Sequence, residues 1–186
     1  MTYKIGIIGS PASGKSTLSC RLTGELMERG MSGARMVTEY AIEHLGKGNK
    51  IESFEDQALL TKKQIDYEKY AEKCTFNPII CDSAIWIGKV YVLANNKKLT
   101  KDMEEYLENI EKYKNLYDMT IYVPLFSKKS ELNTFRVHDS EQAMELDKLI
   151  KTELKGARNV IKAPKSLKDR ESFIKYISGQ IIDEIS

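Results

Sequence analysis

Short apolar runs alternate along the chain with longer stretches whose apolar positions recur every three or four residues. The first run, Tyr3-Lys4-Ile5-Gly6-Ile7-Ile8, is β-rich and stops at Gly9, the signature of a buried strand. Arg35-Met36-Val37-Thr38 reads as a second short strand, and Pro78-Ile79-Ile80-Cys81, ending at Asp82, as a third. Met119-Thr120-Ile121-Tyr122-Val123, stopped by Pro124, predicts a fourth, and Asn159-Val160-Ile161, closed by Pro164, a fifth. Between them lie helical patterns. Leu18, Leu22, Leu26 and Met27 share a face up to a C-cap at Gly30, and residues 41–45 begin a helical turn stopped near Gly46 and Gly48. A long helix is expected over 55–73, with Leu59, Ile65 and Tyr70 among its apolar positions, and another from Ile85. A polar helix over 102–114, a helix over 141–154 and a closing helix over 167–185 complete the pattern.

Strand and helix alternating in this way predict an α/β fold of three layers. A five-stranded parallel sheet is built from right-handed crossovers and covered by helices on both faces. Ligands of such sheets bind beyond the carboxyl ends of the strands. Attention therefore falls on residues 9–17, 38–40, 82–83 and those after Val123. The 186 residues suit one domain over 1–186, and 41% hydrophobic with 30% charged residues is a globular balance. A net charge of +2 offers no global reason to bind nucleic acid or anionic lipid. Cys20, Cys74 and Cys81 have neither metal-pair spacing nor a disulfide framework, and no run is long enough to span a membrane. The chain runs into its first strand without a leader, so a reducing cytoplasm is the expected setting.

The chemistry begins in Gly9-Ser10-Pro11-Ala12-Ser13-Gly14-Lys15-Ser16, a P-loop between a strand and a helix. Its glycines let the backbone turn and approach phosphate oxygens, and the helix starting near Lys15 aims free N–H groups and a positive dipole end at them. Lys15 reaches the β- and γ-phosphates of ATP or GTP, Ser16 supplies a hydroxyl to Mg²⁺, and Thr17 flanks it. Phosphoryl transfer also needs a carboxylate from a neighbouring strand tip. Asp82 fills that position as metal-positioning group; its structural alternative is to cap the helix starting near Ile85, a task Ser83 could also take.

Glu39, at the tip of the second strand, is the candidate base or acceptor contact, although a glutamate early in a helix is also favoured by the helix dipole. Tyr40, Trp86 and Tyr91 are candidates to stack on a flat ring, the alternative being a place in the core. The polar stretch 127–139 reads as a lid. Arg136 is its cation for closure over the γ-phosphate, accompanied by Lys128, Lys129, His138 and Asp139.

With these residues placed, the chain resembles the small P-loop kinases and ATPases typified by the ribosylnicotinamide kinase domain of the bifunctional NAD regulator. The matching pieces are Ile7 through Thr17, Thr38-Glu39-Tyr40-Ala41, Ile79-Ile80-Cys81-Asp82, Tyr117 through Tyr122, and Arg136 with Asp139. The resemblance implies a P-loop fold like that of nucleoside and nucleotide kinases, with Glu39 near the acceptor and Asp82 near the metal. It differs from deoxynucleoside kinases in carrying Ser83, not arginine, after Asp82. The expectation is an ATP-dependent kinase acting on a hydroxyl of a nucleoside-like acceptor, using ATP or GTP with Mg²⁺. In that expectation Lys15, Glu39, Asp82 and Arg136 do the chemistry, and Tyr40 and Trp86 join Glu39 around the acceptor. The alternatives are a nucleoside monophosphate or modified DNA base as acceptor, and a regulatory ATPase that transfers nothing.

Overall fold

The computed structural model describes residues 2–125 and 140–186, the side chains of Ser140 and Leu167 excepted. The expected lid, with Arg136, His138, Asp139, Lys128 and Lys129, lies outside the described residues. Five strands, β1 (Lys4–Ile8), β2 (Arg35–Val37), β3 (Ile79–Asp82), β4 (Met119–Tyr122) and β5 (Val160–Lys162), form one parallel sheet ordered β2-β3-β1-β4-β5. The helices are α1 (Lys15–Glu28), α2 (Tyr40–Gly46), α3 (Phe54–Lys73), α4 (Ile87–Asn95), α5 (Lys101–Glu111), α6 (Ser140–Glu153) and α7 (Leu167–Ile185). The polar helix expected over 102–114 divides in two, because a 3-10 turn over Lys112–Leu116 carries the chain from α5 into β4.

Burial follows position in the sheet. The three central strands are buried along their whole length, whereas edge strand β5 is mostly exposed. Central parallel strands are covered on both faces, which is why β1 reads as an unbroken apolar run. Side-chain alternation then sorts the core. Ile5, Ile7, Ile80, Met119 and Ile121 pack beneath α1 and α7 with Leu18, Leu22, Leu26, Ile174, Ile177 and Ile181. Ile8, Ile79, Cys81 and Tyr122 face the opposite layer with Trp86, Val90, Leu146 and Ile150.

Not every expected apolar position is inward. Met27 is exposed because it follows Leu26 by one residue, about 100° around the helix from the face that Leu18, Leu22 and Leu26 bury. On α3, Leu59 and Tyr70 face solvent, while Leu60, Thr61, Gln64, Glu68 and Ala71 are buried. The inward stripe of this helix is largely polar. Its partners explain that. Glu68 pairs with Lys4 Nζ at 2.9 Å and accepts from Tyr117 Oη at 3.1 Å, and Tyr117 Oη itself accepts the Ile85 N–H at 2.7 Å.

That chain of contacts joins α3, β1, the approach to β4 and the turn after β3. Gly6 makes room for it, since a Cβ there would lie 2.9 Å from the Tyr117 ring and 3.0 Å from Ala84. Removing the phenolic hydroxyl strands the buried Ile85 N–H and takes one donor from the buried Glu68 carboxylate, which keeps Lys4. Tyr117→Phe is expected to destabilise the fold by about 1–3 kcal/mol, read as a lower urea midpoint at unchanged slope.

Candidate functional site

At the end of β1 the chain must pass under β4 before turning into α1. The Val123 N–H bonds the Ile8 carbonyl at 2.7 Å, and a Cβ on Gly9 would fall 2.4 Å from the Val123 carbonyl oxygen and 2.6 Å from Ser13 Oγ. Only glycine fits that passage. Ala12 at φ +68 and Gly14 at φ +85 are both left-handed, the alternation that turns successive N–H groups into one concavity. The loop is closed by the Ser13 N–H on the Ser10 carbonyl at 3.2 Å, with both serines buried. No side chain caps α1, and its first turn has no acidic residue. Its leading N–H groups are thus left for an anion, with the helix dipole in support.

Lys15 is folded over this loop, 8% exposed, its Nζ 3.4 Å from the Ser10 carbonyl. Ser16 and Thr17 stay exposed beside it and line a cleft of about 420 Å³, together with Pro11, Ala12 and Gly14. Asp82 lies across from Ile7 in the β1–β3 register and is 1% exposed. Its Oδ1 is 3.2 Å from Ser19 Oγ, a hydroxyl that also lies 3.0 Å from the Lys15 carbonyl. Oδ2 is buried with no hydrogen-bond partner among the described residues. Neither Asp82 nor Ser83 caps the next helix, whose N-cap is Trp86 without a side-chain bond.

The buried Oδ2 of Asp82 and the exposed hydroxyl of Ser16 are oxygen donors of the kind Mg²⁺ takes. Among the described residues no cluster of three His, Cys, Asp or Glu side chains provides a protein cage. A hard cation that keeps waters and phosphate oxygens for its remaining positions needs none.

Glu39 is the residue before α2, with extended backbone and no capping bond from its side chain, so its carboxylate is available to the cleft. Withdrawal from water raises its pKa above the ordinary glutamate value, and the negative charge of Asp82 adds to this. The Lys15 charge and the polar Ser83 hydroxyl act in the opposite sense. Ser83 is held at φ +79, a costly conformation for a residue with a Cβ, of the kind that gathers at functional sites. Tyr91 also faces the cleft, its hydroxyl pushed to higher pKa by burial and by Glu39.

The remaining walls come from α2 and its sequel (Ala41, Ile42, Leu45, Ile51), from α3 (Gln57, Leu60, Thr61, Gln64) and from the turn into α4 (Ile85, Ile87, Gly88). Lys15 and Glu39 are the charged side chains lining the cleft among the described residues. A Cβ on Gly88 would collide with Tyr106 Oη at 2.3 Å and Thr61 Oγ1 at 2.6 Å, so glycine there preserves the Thr61–Tyr106 hydrogen bond that shapes this wall.

The cleft thus brings together the loop residues, Glu39 and Tyr91, with Asp82 beneath them. It does not include two of the expected acceptor residues. Trp86 is wholly buried in the layer under α4 and α6, beneath Lys114 at 5.4 Å, because the turn after Asp82 directs it onto the sheet. Tyr40 directs its ring onto Tyr67 and His44, at 5.4 and 6.2 Å, and meets Gln64 Oε1 only through its backbone N–H. Ser19 and the polar stripe of α3 were not expected. The stripe has a sequence signal all the same, since Gln57, Thr61, Gln64 and Glu68 recur at helical spacing.

The AAA domain family matches residues 4–170. No curated protein sequence matches the chain. Among solved structures, the chain is similar to deoxyadenosine kinase from M. mycoides with dCMP and dCDP bound (20% identity, TM-score 0.68, covering 97% of this chain and 99% of that one). It is also similar to NadR in complex with NAD and AMP-PNP (19% identity, TM-score 0.70), covering 95% of this chain and 48% of NadR. Thymidylate kinase from Candida albicans aligns at 16% identity and TM-score 0.63, covering 99% of this chain and 91% of that one. The fold is that of the small P-loop kinases.

Because the Gly9 passage is bounded by backbone, an added methyl must displace the loop. Gly9→Ala is expected to weaken MgATP binding by about tenfold or more in a calorimetric titration.

Proposed function

We propose that this chain, which belongs to the AAA domain family, is an ATP-dependent phosphotransferase acting on a hydroxyl of a small nucleoside-like acceptor, of the class of ribosylnicotinamide. The observation that carries this reading is the unequal charge of the cleft. Lys15 and the uncapped start of α1 suit a polyphosphate at one end, while the acceptor end is apolar walls and neutral amides with one carboxylate, Glu39. An acceptor already bearing a phosphate would call for a cation there, and among the described residues the lining has none besides Lys15. The AMP-PNP in NadR is in keeping with an adenine-nucleotide donor. The free cysteines suit a reducing cytoplasm.

In this reading Lys15 and the N–H groups of residues 12–16 bind the donor phosphates and hold the γ-phosphorus facing the acceptor. Ser16 and Asp82 would hold Mg²⁺, which supplies charge neutralisation to the phosphates when bound. Ser19 fixes the Asp82 carboxylate by its hydrogen bond to Oδ1. Glu39 orients the acceptor hydroxyl and takes its proton. The hydroxyl oxygen forms a bond to the γ-phosphorus, the bond from that phosphorus to the β–γ bridging oxygen breaks, and ADP leaves. The apolar walls exclude water that would otherwise receive the phosphoryl group. Arg136 is assigned here the closing cation.

Purified protein with MgATP should transfer radiolabelled γ-phosphate to a member of a panel of nucleosides that includes ribosylnicotinamide. Transfer only to nucleoside monophosphates or oligonucleotides, or to nothing, would overturn the assignment. The pH profile tests Glu39 separately. A base must be ionised, and the folded environment raises the Glu39 pKa. The rate should therefore fall, as pH is lowered, with a midpoint above the ordinary glutamate value of about 4.3. Glu39→Gln should lower kcat by about 10²–10⁴-fold and remove that acid limb.

A further inference from the structure

The first turn of α7 brings a buried arginine against the phosphate loop. Arg170 is 3% exposed; its N–H bonds the Ser166 carbonyl at 3.2 Å, and its Nε donates to the Pro164 carbonyl at 2.9 Å. On the other side of the guanidinium is Gly14. A Cβ built there would lie 2.7 Å from Nη1, so the planar group rests directly on the glycine that precedes Lys15. Gly14 is the N-cap of α1, and it lines the cleft. The guanidinium is therefore wedged between the β5–α7 turn and the residue whose φ sets the direction of the α1 N–H groups. The packing of α7 along α1 through Leu18, Leu22, Ile174 and Ile177 holds it there.

A cation in this place costs desolvation, and burial accordingly lowers the Arg170 pKa, although a guanidinium stays charged near neutral pH. Phosphate on the loop gains from that charge. Lysine is no full substitute, because one planar fork here bonds the Pro164 carbonyl through Nε while its Nη1 abuts Gly14.

We propose that Arg170 is a positioning residue for the donor phosphates: it fixes Gly14, and with it the N–H groups opening α1, and adds positive charge behind the loop. This rests on the phosphate-binding reading of residues 9–17 but not on the identity of the acceptor. The role is specific to the donor end, since Gly14 lies there, whereas Glu39 and the α3 wall form the other end of the cleft.

Calorimetric affinities for MgATP and for magnesium tripolyphosphate, measured on the unchanged protein, Arg170→Met and Arg170→Lys, test it, with unfolding temperatures taken without nucleotide. The unchanged protein should bind both ligands. R170M should lose about tenfold or more in affinity for both, and R170K should recover part of that loss. Folded R170M that binds both ligands within about twofold of the unchanged protein overturns the proposal. So does a loss confined to MgATP, which would put Arg170 at the base or ribose. If R170M does not fold, R170K decides, and parental affinity for tripolyphosphate in that variant counts against the role. Failure of the unchanged protein to bind either ligand overturns the reading of the loop itself, a result distinct from the others.

Discussion

The site hangs from β1, the strand paired on both sides in the middle of the sheet. Ile7 stands opposite Asp82 on one flank and Ile8 opposite Tyr122 on the other, so backbone hydrogen bonds hold the start of the glycine loop, the Asp82 carboxylate and the end of β4 in one register. A slip of one residue would exchange the inward and outward faces of a strand buried on both. The loop's conformation is set by the same pairing. Gly9 lies against the Val123 carbonyl because β4 runs beside β1, and that contact forces the turn that ends at Gly14.

Around this axis the polar groups are arranged in tiers. Asp82 is buried and steadied by Ser19; Glu39 stands further out, with Lys15 and Ser83 on the side that favours its ionised form and desolvation on the side that opposes it. Desolvation prevails, which gives a carboxylate of higher basicity than one in water, a property useful in a group that accepts a proton. Below the cleft, the Lys4–Glu68–Tyr117 chain ends on the Ile85 N–H and so holds the turn that follows Ser83. The buried polar network and the strained Ser83 belong together, since a residue at positive φ persists where its neighbours over-determine its place.

On the other face, the contact of Arg170 with Gly14 ties the last helix to the first. The loop is thereby bounded by β4 at its beginning and by α7 at its end, so a short glycine-containing segment can hold one shape without a ligand. Preorganisation of this kind lowers the ordering cost of binding a polyphosphate.

Much of this was legible along the chain. The order of strands and helices, the loop from Gly9 to Thr17, and the strand-tip positions of Glu39 and Asp82 follow from periodicity and from turn chemistry, which are local properties. Tyr40 and Trp86 were misread because an aromatic side chain near a strand end reads alike whether it faces the cleft or the core; Trp86 is in the core and Tyr40 is on Tyr67. The inward face of α3 was misread too, since Leu59 and Tyr70 are the apolar choice at helical spacing, and only Lys4 and Tyr117, 64 and 49 positions from Glu68, make a polar face burial-worthy. The sequence by itself determined which segments form strands and where the glycine loop between β1 and α1 falls, because those depend on neighbours within a few residues. The tertiary structure decided which side chains meet in the cleft, and that an arginine near the end of the chain supports a glycine near its beginning, because such contacts depend on the order in which the strands pair.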